Sequence, residues 1–165
     1  MKKTAFLGFL LALSMILSYI ESVLPLSFGI PGIKLGLPNL VVVILLYMYG
    51  AREAAAVNIC RIVLSGFLFG NLFAIFFALA GAVLSFVIML IMKKINLFSL
   101  AGVSIGGGVF HNVGQLIVAM FVVETYAPAF YLPVLLILGA VTGFIIGLVG
   151  MRLIPYIQNV IGNNN

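Results

Sequence analysis

The feature that most constrains this fold is a set of long apolar segments that contain no charged residue. The clearest of them runs from Leu72 to Met92 and ends at Lys93 and Lys94. A helix of about 20 apolar residues crosses a bilayer while it satisfies its own backbone hydrogen bonds. Hydrophobic residues make up 65% of the 165-residue chain, and charged residues only 7%. We therefore predict an all-α, polytopic integral membrane protein.

Short turns between the apolar segments predict six transmembrane helices in a single membrane domain that covers residues 1–165. The predicted spans cover about 5–20, 38–50, 54–69, 72–92, 97–123 and 131–154. The first span has the basic start and apolar run of a signal peptide. The sequence ESVLPLSF that follows it lacks a small-residue cleavage site, so we predict a retained helix.

Six crossings place most of the basic residues on one side of the membrane, namely Lys2, Lys3, Arg52, Lys93, Lys94 and Arg152. Cytoplasmic loops of membrane proteins are enriched in lysine and arginine. We therefore predict that both termini are cytoplasmic, and we interpret the net charge of +5 as a topology signal rather than a nucleic-acid-binding surface. Lys34 and Arg61 are the bases that depart from this pattern.

The acidic residues and the cysteine exclude several kinds of chemistry. Aspartate and glutamate together number 3 and lie in separate regions, whereas prenyl or phosphoryl transfer needs clustered carboxylates that hold magnesium. A single cysteine, Cys60, cannot form an internal disulfide and gives no basis for a zinc or iron–sulfur site. We therefore predict no enzymatic activity, no metal and no cofactor. Without a nucleotide-binding motif, energy for any transport has to come from a partner.

The third predicted span carries an unusual charge. Asn58, Arg61 and Ser65 recur at helical spacing and therefore share one face. An arginine in the middle of a membrane costs about 2.5 to 3.5 kcal/mol on insertion scales, so it needs a carboxylate, carbonyl groups, water or an anionic ligand. We expect Arg61 to face a ligand or a cavity; the alternative is a structural arginine that caps carbonyl groups.

A second polar cluster lies in the fifth predicted span, within GGGVFHNVGQ. His111 and Gln115 are one helical turn apart, and Asn112 is adjacent, so these side chains can recognise a polar ligand. The alternative is a core histidine that is hydrogen-bonded to a carbonyl. The glycine run lacks the flanking residues of a phosphate-binding loop, and we expect it to allow close helix packing. The spacing leaves open whether His111 and Arg61 share one pocket.

Two further features precede the third span. The Pro- and Gly-rich segment from Glu21 to Leu37 predicts a loop that folds back onto the protein as a lid. This loop carries Lys34, which we expect to contact a ligand; the alternative is an exposed, solvated lysine. Small residues at Ala5, Gly8 and Ala12 form one face of the first span, which suits either an internal helix contact or docking to another protein.

Four segments of the chain carry a resemblance to a known family: PGIKLGLPNL, RIVLSGFLFGN, GGGVFHNVGQL and GAVTGFIIG. They resemble the small bacterial membrane proteins called Gx transporters, also known as heptaprenyl diphosphate synthase component I. That family is in turn similar to the S components of energy-coupling factor (ECF) transporters, which are six-helix proteins of the bacterial plasma membrane. The resemblance implies capture of a small molecule from outside and docking on a coupling subunit driven by two ATPases. It also implies a lid from Gly29 to Asn39 and a docking face that includes Gly8 and Ala12.

Two functions follow as expectations. The first is the substrate-binding subunit of a small-molecule importer, for a quinone- or isoprenoid-related or flavin-like compound that is partly anionic and partly apolar. The second is a non-transporting membrane subunit that supports a prenyl diphosphate synthase or an extracytoplasmic redox system. For the first function we expect the ligand to contact Lys34, Asn39, Asn58, Arg61, His111, Asn112 and Gln115.

Overall fold

The protein is all-α. A computed structural model describes residues 3–23 and 36–162, so Lys34 and residues 24–35 of the predicted lid lie outside the described residues. Within the described ranges, a short 3-10 helix, Ala127–Tyr131, precedes the last of six α-helices. The α-helices are α1 (Lys3–Val23), α2 (Asn39–Met48), α3 (Ala51–Phe69), α4 (Leu72–Ile95), α5 (Leu100–Val122) and α6 (Leu132–Gly162).

Four helical segments are long and apolar enough to cross a membrane, and they confirm the predicted class of membrane protein. These segments, found among the described residues, are Lys3–Val23, Leu72–Ile95, Leu100–Val122 and Ala127–Val160. The α2 helix is shorter, with 10 residues. At 1.5 Å per residue it is about 15 Å long, roughly half the thickness of a bilayer core. Crossing by α2 and α3, and the cytoplasmic position of the termini, stay predictions.

The α2 helix lies at the centre of the bundle. Its residues from Val41 to Leu46 are all buried, as expected for a helix that is apolar on every side. It contacts α1, α3 and α6, and Met89 of α4 and Val103 of α5 belong to the same buried cluster. Gly50 ends this segment with a φ of 104°, a conformation that favours glycine. The short turn after α2 therefore leads directly into α3.

Charged side chains bring several helix termini together at one end of the bundle, which we call the basic end. The Lys3 ammonium group forms an ion pair with Glu53, which joins the start of α1 to the start of α3. Lys93 Nζ, near the end of α4, donates a hydrogen bond of 2.6 Å to the Leu46 carbonyl and lies over the Tyr47 ring. Lys93 thereby satisfies a carbonyl in the last turn of α2, where helical carbonyls lack partners.

Glycines allow α5 to approach both of its neighbours closely. A Cβ at Gly108 would lie 2.3 Å from the Gly139 carbonyl oxygen of α6, and a Cβ at Gly114 would lie 2.7 Å from the Ala80 carbonyl oxygen of α4. Gly143 packs in the same way, since its ideal Cβ would lie 2.6 Å from the Ser104 carbonyl oxygen. The α5 helix is therefore held between α4 and α6 by backbone contacts that side chains would block.

A matched pair of glycine substitutions tests this packing. We expect Gly143→Ala to lower the free energy of unfolding by about 1–3 kcal/mol, because the new methyl group overlaps the α5 backbone. Gly8→Ala is the control, since no atom of another described helix lies within 4 Å of its added Cβ. That control should be neutral or stabilising by up to about 1 kcal/mol. Thermal unfolding in detergent measures both, and equal melting temperatures for the two variants would contradict close α5–α6 packing.

Candidate ligand-binding site

A partly open cavity of about 80 Å³ lies at the end of the bundle opposite the basic end. Its walls come from α1, the start of α2, α3, α4 and α5. We call it the polar cavity because polar side chains from four of these helices line it: Ser18, Glu21, Asn39, Arg61, Ser65, His111 and Gln115. Arg61 and His111, whose proximity the spacing left open, therefore border the same cavity.

Arg61 is 9% exposed and is held by neutral side chains. Its Nε and one terminal nitrogen donate to Asn58 Oδ1 at 3.3 and 2.8 Å, and the other terminal nitrogen donates to Ser18 Oγ at 3.3 Å. Among the described residues, Lys3 and Glu53 form an ion pair, whereas no carboxylate oxygen lies within ion-pair distance of Arg61. Each terminal nitrogen of Arg61 carries two N–H groups and therefore retains one for a further acceptor.

Glu21 is a site residue that the sequence did not identify. Its Oε1 accepts a hydrogen bond from the Gly36 N–H, which connects the last turns of α1 to the start of α2. The carboxyl group borders the same cavity as Arg61, and opposite charges attract strongly in a poorly solvated space. In the sequence, Glu21 stands between an apolar span and a Pro- and Gly-rich loop. Acidic residues at the membrane surface commonly occupy such a position, so the pattern did not distinguish Glu21 as a site residue.

His111 and Gln115 face the polar cavity from α5, one turn apart. Gly81 of α4 lies directly against them, because its ideal Cβ would be 2.8 Å from the His111 carbonyl oxygen and 2.9 Å from Gln115 Cγ. The α4 backbone therefore limits where both side chains can go. From α3, Ser65 adds a buried hydroxyl that has no hydrogen-bond partner among the described residues.

A second, larger cavity of about 700 Å³ lies beside the first. We call it the apolar cavity because most of its walls are aromatic and aliphatic side chains of α4, α5, the 3-10 helix and the start of α6. They include Phe73, Phe77, Leu116, Ala119, Val122, Phe130 and Leu135. Pockets for drug-sized ligands have volumes of about 300–1,000 Å³, so this space is large enough for one. Gln115 borders both cavities.

The structure places Asn112 differently from His111. Asn112 Nδ2 donates a hydrogen bond of 2.8 Å to the Leu135 carbonyl, which joins α5 to α6, and the residue borders the apolar cavity. Asn58 is likewise buried, and it holds Arg61 without bordering the polar cavity itself. Both residues contact other parts of the protein through their side chains, so their predicted ligand contacts stay predictions.

The predicted docking face lies far along α1 from the polar cavity. Ala5, Gly8 and Ala12 are all exposed, and they lie in the half of α1 that starts at the basic end. The open space around Gly8 shows that this part of the face makes no internal helix contact among the described residues.

A double-mutant cycle tests how Asn58 holds Arg61. Hydrogen bonds to charged groups contribute about 1.5–3 kcal/mol, so we expect Asn58→Ala to lower the free energy of unfolding by about that amount. The same substitution should cost much less in an Arg61→Gln background, because the guanidinium group is already absent. Thermal or denaturant unfolding of the four proteins in detergent gives the coupling energy. Additive effects would show that the two side chains act independently.

Comparison with known proteins gives one result. The model of the family described as heptaprenyl diphosphate synthase component I matches residues 10–153, a range that includes the described residues of both cavities. No curated protein and no solved structure matches the chain. Because the match extends over most of the sequence, the chain belongs to the heptaprenyl diphosphate synthase component I family.

Proposed function

We propose that this protein is the substrate-binding membrane subunit of a small-molecule importer. The observation that carries the proposal is a buried arginine that forms no ion pair among the described residues and borders a cavity. Arg61 costs free energy in an apolar bundle, and its remaining N–H groups can be satisfied by an acceptor on a ligand. Asn39, His111 and Gln115 reach the same cavity from other helices. Convergent polar groups in a mostly apolar protein are typical of a ligand site.

Binding explains this cavity better than catalysis does. Within the described residues, no group of three or more histidines, cysteines and acids is placed to hold a metal ion. Cys60 is exposed and does not border the polar cavity. The family is described as component I of a heptaprenyl diphosphate synthase. The polar cavity is therefore interpreted as a recognition site.

The arrangement along the bundle is consistent with an ECF-type S component in a bacterial plasma membrane. The polar cavity lies at one end, whereas the small-residue face of Ala5, Gly8 and Ala12 starts at the other, basic end. In the proposed orientation the ligand, a quinone- or isoprenoid-related or flavin-like compound, enters from outside. A coupling subunit with its ATPases binds the opposite half of α1 and supplies the energy.

The second candidate is a non-transporting membrane subunit. The observation that favours it is the family description, which names a component of heptaprenyl diphosphate synthase. In this role the protein would hold an isoprenoid-related molecule for a soluble synthase, or support an extracytoplasmic redox system. The two candidates share a ligand site and differ in their protein partners.

Retention of a small molecule tests the ligand site. Native mass spectrometry of the gently purified protein should show a bound molecule of discrete mass. We expect His111→Ala and Gln115→Ala each to lower its occupancy, because each weakens the affinity about tenfold, which corresponds to about 1.4 kcal/mol. Cys60→Ala, on the exposed side of α3, is the control and should retain the molecule fully. Undiminished occupancy in both α5 variants would contradict the assignment.

Co-purification separates the two candidate functions. For the importer we expect a coupling membrane subunit and ATPases to remain bound after mild solubilisation. Gly8→Phe should release them, because a large side chain would occupy the open face, while the bound small molecule stays in place. Recovery of a soluble synthase or a redox enzyme in their place would favour the second candidate.

A further inference from the structure

The polar and apolar cavities adjoin, and Gln115 marks their boundary. The Gln115 side chain borders both cavities, and it extends from α5, which also contributes His111 to the first and Ala119 to the second. We propose that one amphipathic ligand occupies both cavities, with a compact head in the polar cavity and an apolar body in the apolar cavity. This inference rests on the proposed ligand-binding function and specifies the class of molecule that is bound.

The cavity volumes limit the head far more than the body. A cavity needs about 10–15 Å³ of accessible space to hold one water molecule, so the polar cavity of about 80 Å³ holds a group of about five to eight heavy atoms. The apolar cavity, at about 700 Å³, has the size of a pocket for a whole drug-sized molecule. Most of the ligand is therefore its apolar body.

The charges in the polar cavity restrict the head further. Arg61 and the Ser65 hydroxyl offer hydrogen bonds to an acceptor on the ligand. The Glu21 carboxyl group borders the same cavity and attracts the Arg61 guanidinium group, so less of the positive charge on Arg61 remains to balance a ligand. A hydroxyl, carbonyl or single carboxylate fits this combination. A diphosphate is larger than these groups, and it carries more negative charge than Arg61 alone can balance.

The apolar cavity offers little to a polar body. Its walls are mostly hydrocarbon, and the Asn112 amide group already donates to the Leu135 carbonyl. Apart from Gln115, Thr125 and Tyr131, its described walls offer no further polar side chain, so most polar groups placed there would lose their hydrogen bonds with water without replacement. The body is therefore an aliphatic or aromatic hydrocarbon, such as a prenyl chain.

Three probes with the same prenyl chain test the inference: farnesol, farnesoic acid and farnesyl diphosphate. Native mass spectrometry of the full-length protein gives the dissociation constant of each 1:1 complex. We expect farnesol and farnesoic acid to bind at least about tenfold more tightly than farnesyl diphosphate, a difference of about 1.4 kcal/mol. Arg61→Gln should weaken binding of farnesoic acid more than binding of farnesol, because only the acid presents a negative charge to the guanidinium group.

A substitution in the apolar cavity tests the position of the chain. Ala119→Phe fills part of that space and should weaken binding of farnesol and farnesoic acid about equally, by about tenfold. Ala56→Phe, at an exposed position of α3, is the matched control and should leave both affinities unchanged. Size-exclusion chromatography establishes that each variant is folded.

Several outcomes would overturn the inference. Equal or tighter binding of farnesyl diphosphate would refute the compact head. Unchanged affinities in folded Ala119→Phe would show that the apolar cavity holds a bilayer lipid chain or nothing. These results are independent of the importer assignment, because that assignment is decided by the partners that co-purify. A protein that discriminates the probes and lacks ATPase partners would retain the two-cavity site and lose the transport function.

Discussion

Close backbone contact between α5 and its two neighbours is the constraint on which the site depends. Glycines on separate faces of α5 and α6 bring carbonyl groups to distances that a methyl group would prevent. Gly81 extends the same contact to His111 and Gln115, so the helix packing also sets the position of these side chains. A cavity wall built on close-packed helices has little freedom to adapt, which favours recognition of a defined molecular shape.

The polar cavity combines opposite charges that are not in direct contact. Arg61 is held by Asn58 and Ser18, while the Glu21 carboxyl group accepts from the Gly36 backbone. Both charged groups thus form hydrogen bonds with neutral groups within the protein, and they form no direct ion pair with each other among the described residues. Such an arrangement maintains a local field across the cavity, since a direct salt bridge would turn both groups away from a ligand.

The sequence predicted much of this structure, and the reason for each difference is physical. Apolar segments and their bounding residues predicted an all-α membrane protein, and helical spacing placed Asn58 beneath Arg61 and Gln115 beside His111. Spacing describes one helix at a time, so it could not show that Arg61 and His111 border the same cavity. Glu21 was missed because its partner, the Gly36 N–H, is a backbone group that carries no side-chain signal.

The short central helix has a consequence for the depth of the site. The α2 helix is about half as long as a bilayer core is thick, and Lys93 fixes its lower end at the basic side. The polar cavity borders Pro38 and Asn39, where α2 begins. The length of α2 therefore sets the depth of the polar cavity, about 15 Å along the bundle from the other end of this helix. The depth of the site is thus a property of helix length, whereas its chemistry is a property of the side chains.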